Sequence, residues 1–185
     1  TVSDNSTAVT VAASGLQALT DGDNYTLTTN VSDAAGNAAT VNTGPSFTYD
    51  RTPPSISGAV AITGAGIQNN FLNVPDVVSA TVTFSEVVNK TGTPQLTLAV
   101  GSDNRTATYA SGTGYAPLVF TYTIQTGDND TNGISIRANA LALNSGTIMD
   151  LAENNAILTH SLVSDNSSYM VDTEAPRVDN FTLSD

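Results

Sequence analysis

The sequence predicts an all-β chain of antiparallel strands packed as a β-sandwich. Three observations carry that prediction. Apolar and polar residues alternate with period two, the alternating stretches are rich in Thr and Val, and Gly, Asn, Asp and Pro punctuate them. In "YTLTTNVSD", Tyr25, Leu27, Thr29 and Val31 share one face. In "VVSATVTFS", Val78, Ala80, Val82 and Phe84 face one way while Ser79, Thr81 and Thr83 face the other. "PLVFTYTIQ" repeats the pattern with Leu118, Phe120, Tyr122 and Ile124. No stretch has the period of an amphipathic helix. "ANALALNSG" (138–146) allows at most one helical turn.

Composition narrows the function. With 185 residues, 39% of them hydrophobic, the chain can bury a real core and holds one full domain plus part of another. Five basic against seventeen acidic residues give a net charge of −12, which repels nucleic acid and anionic membranes and attracts cations. No nucleic-acid partner is expected. No apolar run approaches the roughly 18 residues that a membrane span needs, so no membrane insertion is expected. There is no cysteine, hence neither a disulfide framework nor a thiolate metal site. No signal peptide is evident, and the chain starts in mid-pattern like an excised piece. Triplets of the Asn-x-Ser/Thr type, at Asn24 and Asn104 for example, are expected by chance in so Asn- and Thr-rich a chain.

A long repeat organises the chain. "SDAAGNAAT" (32–40) is followed by "FTYDRTPPS" (47–55), and "MDLAENNAI" (149–157) by "YMVDTEAPR" (169–177). Asp33 and Asn37 thus match Asp150 and Asn154, and Asp50 and Pro54 match Asp172 and Pro176. The expected division is 1–50, the last strands of one repeat; 51–172, a complete repeat; and 173–185, the first strand of a third. Residues 1–50 lack opening strands of their own, so an exposed edge is expected. Either a neighbouring chain completes it, or the piece is trimmed there.

An "AGN"-type turn followed by an Asp-x-x-x-Pro linker resembles the bacterial immunoglobulin-like tandem repeats of large secreted adhesins, including the RTX type. "TPQLTLAVG", "RTATYASGTG", "FTYTIQTGDND" and "GTIMDLAENNA" make 51–172 similar to a longer variant of these modules. The resemblance implies immunoglobulin-like antiparallel β-sandwiches in tandem, on the outside of a bacterial cell. It also implies a non-enzymatic extender whose partners are the neighbouring repeats of the same chain, with Ca2+ stiffening the joints. Two positions depart from the repeat: Gly36 is replaced by Glu153, and Thr52 by Glu174. A carboxylate at each place either adds a ligand or spoils the turn.

In such a sandwich the strands alternate direction, which places the loops. With "FTYTIQ" (120–125) as strand E, the following "GDNDTNG" loop shares an end with the outgoing linker, and "DLAEN" (150–154), the turn between strands F and G, shares an end with the incoming one. The first joint then gathers Asp21, Asp23, Asp50, Asp150 and Asn154. The second gathers Asp128, Asp130, Asn132 and Asp172. Calcium takes six to eight oxygen ligands, which these residues supply, whereas zinc and copper prefer histidine or thiolate.

"GDNDTNG" (127–133) is the sharpest single motif. Asp128, Asp130, Asn132 and Gly133 match the first six positions of an EF-hand loop, but Asn139 stands where its bidentate Glu belongs, and no flanking helix is expected. It is no EF-hand. Two readings stay open: a calcium-binding β-loop, or an Asx-rich turn closed by Gly133.

No enzyme is expected. His160, the one histidine, sits in a strand-like "ILTHSLV" without a motif, and no Gly-x-Ser-x-Gly elbow occurs. The rival reading is a ligand-binding adhesive module for a carbohydrate or a protein. It lacks a Trp platform, and Tyr115 is the aromatic most expected to be exposed.

Overall fold

The computed structural model describes residues 18–29, 32, 35–38 and 42–180. The chain divides into two compact units, Thr1–Thr52 and Pro53–Asp185, a division two residues beyond the boundary drawn from the repeat. Every described element is a strand or a turn, and nearly all strand pairing is antiparallel. No helix among the described residues is long and apolar enough to cross a membrane.

In the first unit, strand β1 (Asn24–Thr29) pairs with β2 (Asn42–Thr48), with a register shift between Thr26 and Thr28. The alternation read in β1 does not bury a full face. Tyr25 is half-buried against Phe47, but Leu27 is 51% exposed. Val31 and Asp33, both singled out from the sequence, lie outside the described residues.

The second unit holds the core. Its strands are β3 (Ala61–Ala65), β4 (Phe71–Leu72), β5 (Val77–Lys90), β6 (Gln95–Val100), β7 (Asp103–Ser111), β8 (Tyr115–Thr123), β9 (Asn129–Asp130), β10 (Leu141–Ala142), β11 (Ile148–Met149) and β12 (Met170–Asp172). A seven-stranded sheet runs in the order β10-β6-β7-β8-β5-β11, and β3 also pairs with β5. At fourteen residues, β5 is the spine: its first half pairs with β3, its end with β11, and β8 lies along its other edge. The alternation predicts its burial well. Val78, Ala80 and Val82 are fully buried and Phe84 nearly so, as are Leu118, Phe120 and Ile124 of the facing segment. Burying each such side chain favours the folded state by about 1.5–3 kcal/mol.

The helical turn allowed at 138–146 does not form. The stretch makes a turn, with Asn139 at φ +58°, and then β10 on the edge of β6. Leu141 is buried there, so cross-strand packing prevails over the helical propensity of Ala and Leu.

Both ends of this unit are anchored beside β5. On entering, the chain runs antiparallel to it: Ser57 N–H donates to Thr83 O and Ser85 N–H to Ser55 O, each at 2.8 Å. Pro54 O also accepts the Ile157 amide at 2.8 Å. On leaving, β12 lies parallel to β4 and antiparallel to β9, with Val171 fully buried. That exit borders Asn73 and Val74, just before β5 begins.

Candidate metal centre

The 127–133 loop resolves into a turn held by its own carboxylates. Asp128 is 1% exposed. Its Oδ1 accepts Arg105 Nε–H at 2.6 Å, and its Oδ2 accepts the Tyr122 hydroxyl at 2.7 Å and the Gln125 amide at 2.9 Å. Burial alone would raise this carboxyl. The Gln125 amide, the Tyr122 hydroxyl and the Arg105 guanidinium outweigh it and hold the group below its ordinary value. Burial and the bond to Asp128 in turn push the Tyr122 hydroxyl up to about 12.

Asp130, 3% exposed, completes the turn. Its Oδ2 accepts Gly101 N–H at 2.7 Å, while its Oδ1 accepts the amides of Gly133 at 2.7 Å and Asn132 at 3.2 Å. Gly133 has φ +98°, and a Cβ there would meet Asn166 O at 1.9 Å, so the turn requires glycine. The Asn132 side-chain amide donates to Asp165, and Asp172 Oδ1 accepts the Glu174 backbone amide at 2.9 Å. Asp128, Asp130 and Asp172 do not converge on one point among the described residues. These carboxylate-to-amide bonds are those of an Asx-rich turn.

The first unit ends in a similar way. Asp21 Oδ1 accepts Arg51 N–H at 2.5 Å and its Oδ2 accepts the Thr52 hydroxyl. The Thr52 hydroxyl and the Arg51 amide hold the Asp21 carboxyl below its ordinary value. Asp23 contributes backbone: its carbonyl accepts Tyr49 N–H at 3.0 Å. Asp50 Oδ1 accepts Thr52 N–H at 3.0 Å.

The entry end of the second unit carries a carboxylate pair. Oxygens of Glu86 and Asp150 lie within 4.8 Å of each other. Asp150, 4% exposed, opens the turn after β11, where its Oδ1 accepts Asn154 N–H and its Oδ2 accepts the Asn154 side-chain amide, each at 2.8 Å. Each oxygen keeps a further lone pair. Glu86 was not foreseen from the sequence, although a signal for it exists. It occupies the inward parity of β5, between buried Phe84 and buried Val88, where register with β8 slips. An acid among inward-facing apolar positions is the anomaly to look for. Glu153 borders an open cleft with Asp150, Asn89 and Leu151, and it stands at φ +67° where Gly36 of the matching turn has φ +88°.

No family model, no curated protein and no solved structure matches this chain. What the site can do therefore rests on its donor atoms. They are all oxygens, from two carboxylates and a neighbouring amide turn, a set that fits a hard cation such as calcium rather than zinc or copper.

His160 is bound to backbone groups. It is buried, its Nε2 accepts Ala140 N–H at 2.9 Å, and its Nδ1 faces Ser161 O at 2.9 Å. The Asn139 side chain also caps its backbone amide at 3.1 Å. Both ring nitrogens thus serve the backbone. Tyr115 opens β8 opposite Val88, and its side chain lies outside the described part of the structure.

Proposed function

We propose that this chain is a non-enzymatic spacer from a bacterial surface protein, built of tandem immunoglobulin-like sandwiches and stiffened by calcium. The observation that carries the reading is the approach of Glu86 and Asp150 where the chain enters the second unit. Two carboxylates held this close repel unless something positive lies between them. Asp150 is a residue that the repeat singled out. Asn154 orients Asp150 from behind. Calcium accepts such a ligand set, with water and carbonyl oxygens completing its shell.

Two further observations support the tandem reading. Both units end in an Asp-x-Asp loop (21–23, 128–130) paired with the residues that precede the linker aspartate. Both linkers then place Pro four residues after that aspartate.

The expected size of the effect is modest but sufficient. Extracellular calcium modules bind with Kd of about 10⁻⁴–10⁻³ M. A hundredfold excess over Kd favours the bound state by about 2.7 kcal/mol, enough to turn a loose joint into a stiff one. Small-angle scattering and thermal melting of the whole chain, with calcium and with chelator, test this. A larger maximum dimension and a higher Tm with calcium are expected. Identical scattering and melting in both conditions would sink the proposal.

A further inference from the structure

We propose that a threonine in each linker latches the chain to the unit it is leaving, so that the exit is rigid without a cation. The inference rests on the spacer reading only for its significance, since the latch itself lies wholly within each unit.

The two exits share three features. First, the linker aspartate turns the chain through its side chain: Asp50 Oδ1 accepts Thr52 N–H and Asp172 Oδ1 accepts Glu174 N–H, at 3.0 and 2.9 Å. Second, the residue just before it is paired with the unit's own Asp-x-Asp loop. Tyr49 exchanges backbone bonds with Asp23 and Gly22, and Val171 pairs with Asp130. Third, a threonine hydroxyl ties the linker back to that loop. Thr52 Oγ1 donates to the Asp21 carboxylate. Thr173 Oγ1 accepts Gly127 N–H at 3.0 Å and donates to Asp128 O at 2.9 Å.

The third feature accounts for a departure noted in the sequence. Where the first linker has Thr52, the second has Glu174, as though the hydroxyl were lost. It has instead moved one position towards the aspartate, to Thr173, and there it acts as donor and acceptor at once. Its β-branched side chain is stiff at χ1, which limits the entropy lost in holding both bonds. In the proposed spacer each joint then has two halves. The side that leaves a unit is set by hydrogen bonds, and only the side that enters the next one responds to metal.

Backbone 15N relaxation of the whole chain, in chelator and in calcium, tests the latch. Wild-type protein should show order parameters near 0.85 at Thr173 and Glu174 in both conditions. Thr173→Val, which keeps the shape and removes the hydroxyl, should drop Glu174 below about 0.6 and speed hydrogen exchange at Gly127. Thr173→Ser should restore both values towards wild type, and unchanged amide shifts across β5 establish that each variant is folded. An ordered Glu174 in the valine variant, or a mobile one in wild type with chelator, would overturn the proposal. If calcium leaves scattering and melting unchanged while the valine variant still frees the linker, the metal reading fails and the latch stands.

Discussion

Arg105 reaches from β7 to donate its Nε–H to Asp128 at 2.6 Å, inside the loop whose sequence most resembles a calcium site. The guanidinium places a fixed positive charge beside the loop's buried carboxylate. Asp128 thus contributes to the fold, and the consequence is measurable. Asp128→Ala leaves Arg105 without its buried partner and the Tyr122 hydroxyl without an acceptor. Arg105 is 31% exposed and keeps Asp103 at 3.0 Å, so the loss is that of the unsatisfied hydrogen bonds, about 1–3 kcal/mol. Denaturant melts should show that loss, and it should be the same with calcium and with chelator.

The same pair sets an acid limit. The folded Asp128 carboxyl sits below its ordinary value of 3.8, so below that value the unfolded state binds the extra proton. The stability it contributes is fully present above about pH 4 and is lost as the pH falls through the folded value. A stability profile in which Asp128→Asn flattens the acid limb is the expected result.

At alkaline pH the direction reverses. Tyr122 is pushed up to about 12 from 10.0, so its contribution is complete below pH 10 and fades between there and about 12. Near-ultraviolet absorbance should show a tyrosinate forming near the top of that range in folded protein. Tyr122→Phe should abolish this step.

Glu153 carries a backbone cost. A non-glycine residue at φ +67° gives up about 1 kcal/mol, which Gly36 avoids at the matching position. Glu153→Gly should raise stability by about 0.5–1 kcal/mol in chelator. Chemical denaturation of the two proteins side by side reads the difference.

Glu86 separates the metal reading from mere stability. Glu86→Gln removes one charge from the pair with Asp150 and keeps the shape. It should hold or raise Tm in chelator and abolish any rise on adding calcium. Wild-type calcium response in this variant would remove Glu86 from the ligand set.

The strands were legible because period two is a local signal. Val78 to Phe84 and Leu118 to Ile124 declare their inward faces within a few residues, and they are buried accordingly. The role of Asp128 was not legible. Its deciding partner lies 23 residues away in another strand, and Asp-x-Asp-x-Asn-Gly suits a cation loop and an Asx turn equally. Glu86 escaped for a different reason. The alternating stretch "VVSATVTFS" ends at Ser85, one residue short of the acid at the next inward position, whereas β5 continues to Lys90. Leu27 marks the converse limit, since alternation states which side chains share a face and says nothing of what covers it.

The length of β5 has a last consequence. The chain is bound beside Ser85 when it arrives and departs past Asn73 and Val74, just before β5 begins at Val77. Nine residues of extended backbone, about 30 Å, separate those two points. The second unit is in this sense a yardstick, and its graduation is the longest of the described strands.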